Sequence, residues 1–236
     1  LRDTTRKTTR YRKLPNQLSV SLDPENDLME LAGILKLSAP PALIEGFDIS
    51  NISGTFMVAS MVVFRNGRPA NGDYRKYKIK GVSAQDDFAC MAEAVKRRYS
   101  RLKKDGRPMP DLILIDGGKG QLSAAKSALD ALGLGYVQVV GLAKRLEEVY
   151  KPGMSEPQNI PKTSAGLHLL MKIRDEVHRY AITFHRKTRK KDMTKSIFED
   201  IPGMGPKRIK KLWQEFESLE KIQNSKTEEI RKKTGF

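Results

Sequence analysis

Two aspartates in this sequence each follow an apolar run. Asp116 ends the run LILID and is followed directly by Gly117 and Gly118, and Asp48 follows the apolar run 43–47. Two carboxylates held close together repel each other unless a cation neutralises them. Mg²⁺ and Mn²⁺ prefer such oxygen ligands, and the glycines leave room for an ion and a phosphate. The pair therefore predicts a metal site, provided that the two runs are neighbouring strands.

Other interpretations of these aspartates stay open at this point. The segment GGKGQ lacks the G-x-x-x-x-G-K-[ST] spacing of a nucleotide-binding loop, although its backbone amides could still contact a phosphate at a helix N-terminus. Asp116 could instead cap the following helix. Asp48 could instead be a turn residue before Ser50 and Asn51.

Histidines provide a further source of chemistry on a long helix predicted from Gly166 to about Lys191. At about 100° per residue, one apolar stripe contains Leu170, Ile173, Val177, Tyr180 and Phe184. A second stripe beside it contains Arg174, His178, Ala181, His185 and Arg189. Two histidines with two arginines favour a phosphate or metal site over histidines that are merely hydrogen-bonded at the margin of the core. Periodicity does not say which histidine takes part.

The elements that must position these residues follow from the hydrophobic pattern. Apolar runs predict strands at 43–47, 55–64, 74–80, 112–116 and 136–143, with Asn66-Gly67 as a tight hairpin between the second and third. A period of three to four residues predicts a helix from Asp86 or Asp87 and a second one that Gly133 ends. Residues 144–164 predict a loop. The order β-β-β-α-β-α-β predicts an α/β fold of the ribonuclease-H-like class, a mixed five-stranded sheet with flanking helices.

The segment IPGMGPKR predicts a separate small all-α unit, a helix-hairpin-helix. The glycine hairpin exposes backbone N–H groups, and the helix after it contributes its positive end, so a DNA phosphate can dock there. Gly203, Gly205, Lys207 and Arg208 are the expected phosphate contacts. A plain helix turn is the alternative. A related second motif begins near Leu219 and is expected to be truncated.

Charge and composition narrow the range of functions. The 44 basic and 28 acidic residues give a net charge of +16, which favours a polyanionic partner over a merely solvated basic surface. Residues 179–236 hold sixteen of the basic and eight of the acidic side chains. No apolar run approaches the roughly 20 residues needed to span a bilayer. A single cysteine, Cys90, excludes an internal disulfide framework and suits a reducing, cytoplasmic location.

Five segments in this order resemble the C-terminal half of UvrC, the bacterial nucleotide-excision-repair nuclease: EGFDISNISG, DLILIDGGKGQL, GLAKR, IRDEVHRYAITFHRK and IPGMGPKR. The resemblance covers roughly residues 40–236. It implies a ribonuclease-H-like endonuclease domain followed by two helix-hairpin-helix motifs. The implied activity is the metal-dependent incision on the 5′ side of a DNA lesion.

The resemblance also implies roles for individual residues. Its Asp, Asp and His triad maps onto Asp48, Asp116 and His178, which selects His178 over His185, and the implied cofactor is Mg²⁺ or Mn²⁺. Asp87 matches a further acidic position associated with function in the family. Basic side chains near these motifs are expected to contact phosphates, with simple surface charge as the alternative: Lys144, Arg145, Arg179 and Arg186.

The expected domains are an N-terminal extension or linker at 1–40, the endonuclease domain at 41–192 and the helix-hairpin-helix domain at 193–236. The implied partners are damaged double-stranded DNA and, in the full-length protein, UvrB, with UvrA acting upstream. The resemblance does not extend to the family's N-terminal GIY-YIG nuclease domain, which is expected to lie outside this sequence. Two alternatives stay open. A non-catalytic DNA-binding scaffold would share the basic charge and the hairpin but needs no metal, and a Holliday-junction resolvase would share the fold.

Overall fold

The computed structural model describes residues 23–52, 56–80, 86–143, 147–199, 201–216 and 219–235. Its strands are β1 (Leu43–Ile52), β2 (Phe56–Arg65), β3 (Arg68–Pro69), β4 (Arg75–Lys78), β5 (Leu112–Asp116), β6 (Gln138–Ala143) and β7 (Glu148–Tyr150). Its helices are α1 (Pro24–Leu35), α2 (Asp87–Lys104), α3 (Lys119–Asp130), α4 (Ala165–Glu199), α5 (Pro206–Phe216), α6 (Leu219–Asn224) and α7 (Thr227–Thr234).

The strands form one mixed sheet in the order β3-β2-β1-β5-β6-β7, with β4 also paired to β2. Strand β2 is antiparallel to β1 and β4, as the predicted meander requires, and β5 is parallel to both β1 and β6. The predicted count of five strands is wrong, because this sheet contains seven. The additional strands β3 and β7 have two and three residues, too few to show an alternating pattern. Strand β7 lies inside the segment predicted as a loop.

Local sequence signals set the ends of several elements. Asn66 and Gly67 have φ values of 50° and 72°, the left-handed pair that a tight hairpin needs. The Asp86 side chain accepts a hydrogen bond from the Ala89 amide and caps α2. Gly133, with φ of 70°, follows α3 as its predicted stop. These three signals are confirmed.

Helices cover both faces of the sheet. On one face Phe47 of β1 contacts Tyr99 of α2, with ring centroids 6.2 Å apart. On the other face Gly46 packs against α4, since a Cβ there would lie 2.7 Å from Cγ2 of Ile173. Ile173 is fully buried, so its replacement by alanine should cost about 2–5 kcal/mol of stability. Residues that alternate along β1 therefore face α2 and α4 in turn.

Helix α1 adds to the same core, although its sequence lies in the predicted N-terminal extension. Asp23 caps the helix by accepting a hydrogen bond from the Asn26 amide. Leu31 is fully buried and touches the start of α4, where a Cβ at Gly166 would lie 2.7 Å from the Leu31 nitrogen. The extension thus contains a helix that packs on the domain.

The chain divides into two compact units, Leu1–Ile182 and Thr183–Phe236. The second unit has its own small core of Phe198, Ile209, Leu212, Phe216 and Ile222. Helix α4 extends to Glu199, beyond the predicted end near Lys191. The predicted domain limits stay a prediction. Within the described ranges, every helix is too short or too polar to cross a bilayer.

Candidate active site

The two aspartates lie side by side on neighbouring parallel strands. Phe47 of β1 pairs with Ile115 of β5, so the next residue on each strand, Asp48 and Asp116, occupies adjacent positions on one face. Both are only 3% exposed. Asp116 ends β5 as predicted, whereas the prediction that Asp48 ends its strand is wrong. β1 continues to Ile52 because its pairing with β2 continues past Asp48 as far as Ile52, opposite Phe56.

Helix α4 brings His178 to this pair. Its Nδ1 lies 3.8 Å from Oδ2 of Asp48, and one ligand atom from each of the three side chains lies within 4.8 Å of the others. The two carboxylates are buried, whereas the imidazole side chain is 52% exposed. The arrangement is a pair of buried carboxylates with a half-exposed imidazole beside them.

The donor set fits a divalent cation. Two carboxylates supply the hard oxygen ligands that Mg²⁺ and Mn²⁺ prefer, and an imidazole nitrogen is a better ligand for Mn²⁺ than for Mg²⁺. Ligands that share one such ion lie roughly 3 to 4 Å apart, given metal–oxygen distances of about 2.1 Å. The separation of 3.8 Å between His178 and Asp48 exceeds a hydrogen bond and falls within that spacing.

The turn after Asp116 does not follow the capping alternative. The N-cap of α3 is Gly118, two residues after Asp116, and glycine has no side chain that could cap the helix. A Cβ at Gly118 would meet no atom within 4 Å, whereas one at Gly117 would lie 1.6 Å from Oε1 of Gln121. Gly118 therefore leaves open space beside the site, and Gly117 admits the Gln121 side chain.

A buried carboxylate fixes the part of α4 that carries His178. Glu176 is fully buried and accepts a hydrogen bond of 2.9 Å from the Tyr74 hydroxyl. It also accepts two bonds of 2.6 and 2.7 Å from the Arg179 guanidinium. These bonds raise the pKa of Arg179, and burial together with Glu176 raises the pKa of Tyr74. Arg179, predicted to contact phosphate, is thus engaged with Glu176.

Strand β1 is held by a second buried carboxylate three residues before Asp48. Glu45 accepts hydrogen bonds from Nε and Nη2 of Arg98 at 3.2 and 2.5 Å and from the Tyr99 hydroxyl at 2.9 Å. Burial, with Glu45 as a further cause, raises the pKa of Tyr99. Sequence reasoning missed Glu45 and Glu176, because a charged residue in an apolar run gives no sign of its buried partner.

A polar row also crosses the sheet beside Asp48. Ser60 of β2 pairs with Asp48 on one side and with Lys76 of β4 on the other. Opposed residues of antiparallel strands point to the same face. The Lys76 ammonium donates to the Tyr180 carbonyl at 3.2 Å and lies 4.1 Å from the centre of the Tyr180 ring. Lys76, which was not among the predicted residues, thus places a positive charge on the face of the sheet that carries Asp48.

The other predicted residues are placed as follows. Asp87 is the first residue of α2 and is exposed. It does not belong to the group formed by Asp48, Asp116 and His178, the one potential metal cluster among the residues that the structure describes. Lys144 and Arg145 lie outside the described residues, as does the side chain of Arg186.

The glycine hairpin of the second unit precedes α5 directly. Gly203 adopts φ of 85°, and its carbonyl accepts a hydrogen bond of 2.9 Å from Nη1 of Arg208. The amide of Ile209 donates to the Gly205 carbonyl at 3.1 Å, so Gly205 lies at the start of α5. Lys207 is exposed. The hairpin thus combines an open backbone with two basic side chains, one of which closes the turn.

Comparison with known proteins identifies close relatives. Residues 32–182 match the family model described as the UvrC RNAse H endonuclease domain. The UvrABC system protein C of Methanosphaera stadtmanae is 50% identical over 216 residues, 88% of this chain and 36% of that protein. The UvrABC system protein C of Gloeobacter violaceus is 48% identical over 217 residues, 90% of this chain and 35% of that protein. The chain therefore spans about a third of the length of these relatives.

Among solved structures, Ciona intestinalis endonuclease V in complex with a 24mer DNA containing an inosine superposes on this chain with a TM-score of 0.35. The sequence identity is 21%, over 46% of this chain and 48% of that chain.

Proposed function

The chain belongs to the family of UvrC RNase H endonuclease domains, and from this premise we propose that it is a metal-dependent DNA endonuclease. Its reaction is the hydrolysis of one phosphodiester on the 5′ side of a lesion during nucleotide excision repair. The observation that carries the proposal is the group of Asp48, Asp116 and His178, whose ligand atoms lie within 4.8 Å of one another.

Asp48 and Asp116 would hold the divalent ion, with His178 at the rim of the site. Such an ion supplies charge to polarise the scissile phosphate and lowers the pKa of a bound water. The buried carboxylates keep their orientation because β1 and β5 are central strands of the sheet. Rigid placement on strands favours catalysis, since positioning within fractions of an ångström affects the rate.

His178 differs from the aspartates because it is half exposed. An exposed imidazole can bind the ion, accept a proton from the attacking water, or contact the phosphate. Its backbone position is fixed by the Glu176 bonds one half-turn earlier on α4. The products of attack by water are a 3′-hydroxyl and a 5′-phosphate.

The hairpin of the second unit would hold the DNA backbone through Gly203, Gly205, Lys207 and Arg208. Backbone amides and basic side chains read phosphates and not bases. We therefore expect binding that depends strongly on salt and weakly on sequence. Lesion recognition belongs to UvrA and UvrB in this proposal, with UvrB as the direct partner of the full-length protein.

The test is to map the incision on an end-labelled duplex with one bulky lesion, in Mn²⁺, with and without UvrA and UvrB. The proposal predicts a single cut on the 5′ side that leaves a 3′-hydroxyl, and no cut in EDTA. Cleavage that persists in EDTA would contradict the metal-dependent mechanism. DNA binding with no cleavage under any of these conditions would favour the non-catalytic scaffold.

A further inference from the structure

An exposed aromatic side chain lies at the same end of the sheet as the candidate active site. Phe88, the second residue of α2, is 55% exposed. Exposed apolar side chains are common on protein surfaces, and Tyr136 is exposed to a similar degree, 68%. The neighbours of Phe88 distinguish it from these other residues.

The ring of Phe88 rests against a glycine at the start of α3. A Cβ at Gly120 would lie 2.5 Å from both Cε1 and Cζ of Phe88 and 3.2 Å from Cε2. Any side chain at position 120 would therefore displace the ring. The contact fixes the tip of the ring on the backbone of α3 while more than half of the residue stays open to solvent.

Gly120 lies close in sequence to the candidate active site. It follows Asp116 by four residues, and four residues span at most about 14 Å. The intervening residues are Gly117 and Gly118, of which the second faces open space, and the basic Lys119. Helices α2 and α3 both begin at this end of the sheet, because α2 leads into the start of β5 and α3 follows its end. Phe88 thus lies at the end of the sheet at which β5 ends in Asp116, next to the start of α3.

We propose that Phe88 is a stacking platform for an unpaired nucleobase beside the scissile phosphate. The inference rests on the proposed function, because it takes DNA as the substrate. Every base has an aromatic face, so stacking on a fixed ring stabilises single-stranded DNA without reading its sequence. A base stacked within duplex has no free face, so the platform favours DNA that is locally unpaired at the incision site.

The experiment is a double-mutant cycle in which the Phe88 side chain and one DNA base are removed separately and together. Affinities of the whole chain are measured in EDTA for a fluorescein-labelled single strand and for the same strand in which successive nucleotides are abasic. The variants are Phe88→Ala, Phe88→Leu and Phe88→Trp. Tyr136→Ala is the matched control, because Tyr136 precedes β6 at the opposite end of the sheet.

Wild type and Tyr136→Ala should bind the strand with bases about 5- to 100-fold more tightly than the abasic strand, the usual range for one stacked base. Phe88→Ala and Phe88→Leu should lose most of this difference, and Phe88→Trp should keep it. The leucine variant retains an apolar contact with Gly120. If it also loses the affinity difference, the cause is the missing aromatic ring and not a folding defect.

Two results would overturn the inference. If Phe88→Ala weakens binding to both strands equally, or to neither, the ring does not contact a base. If wild type binds neither strand, the proposed function fails together with the inference, which is a different outcome from loss of the base-dependent difference alone.

Discussion

At Asp48 and Asp116, burial and charge oppose each other. Each carboxylate is 3% exposed, and removing a charge from water is costly unless a partner compensates. Placing two such groups on adjacent strands increases the cost by their mutual repulsion. A divalent ion offsets both effects, which is why this pair indicates a metal site more strongly than exposed acidic residues do.

His178 is the residue whose role is tested most simply. We predict that His178→Ala lowers the Mn²⁺-dependent nicking rate by about 100-fold or more, since a positioned acid or base contributes roughly 10²–10⁴-fold. The measurement is single-turnover nicking of supercoiled plasmid. The matched control is His168→Ala, which removes a histidine ten residues earlier on the same helix. Equal rates for the His178 variant and wild type would remove His178 from the reaction.

The residues of the site were predictable to different extents. The acidic pair follows from apolar runs that end near carboxylates, and strand pairing then places them together. Helical periodicity gave two equivalent histidines, and the choice of His178 came from resemblance alone. Lys76 was not predictable, because its position beside the site depends on the pairing of β4 with β2.

At the scale of elements, Glu176 joins α4 to the segment before β4. It accepts a hydrogen bond from Tyr74 and two from Arg179 while fully buried. A buried acceptor with three donors is costly to alter, because each unsatisfied polar group loses its hydration without compensation. Glu176 lies two residues before His178 on α4, so these bonds hold the helical turn that carries the histidine.

We predict that Glu176→Gln lowers the free energy of unfolding of the first unit by about 1–3 kcal/mol, since the charge-assisted bonds to Arg179 weaken. We expect a value near the lower end of this range, because Arg179 is half exposed and solvent screens its charge. The measurement is urea denaturation followed by far-ultraviolet circular dichroism. Glu229→Gln, which breaks the exposed pair with Lys233, should leave the curve unchanged. An unchanged curve for Glu176→Gln would show that the anchor adds nothing.

Most elements were predictable because they are long and periodic. The helices α2 and α3 had capping and stop residues, and β5 had a continuous apolar run, as expected for a strand buried on both faces. The short strands β3 and β7 carried no pattern, and β1 continues beyond Asp48 since its partner β2 is equally long. Pairing between distant segments set these boundaries.

At the scale of the whole molecule, the net charge of +16 favours long-range attraction to DNA. Charge of this size raises association rates and makes affinity fall with salt. It does not say which surface binds. The proposed function assigns the contact to the hairpin before α5, whose glycines and basic side chains are exposed together.

We predict that Lys207→Glu weakens binding to every duplex tested. The slope of the logarithm of affinity against the logarithm of salt concentration should fall in magnitude by about 1, the change expected for one lost phosphate contact. The measurement is fluorescence anisotropy at several salt concentrations on two unrelated sequences. Lys96→Glu makes the same charge change on α2 and controls for net charge. Equal affinities for the two variants would remove the hairpin from the interface.

The central claim is that Asp116 holds a catalytic metal ion. The most direct measurement is Mn²⁺-dependent nicking of supercoiled plasmid by wild type, Asp116→Asn and the control Asp105→Asn, whose carboxylate is an exposed partner of Arg101. We predict nicking by wild type and by the control, and none by Asp116→Asn, because an amide does not replace a charged ligand. Nicking by all three proteins at the same rate would contradict it.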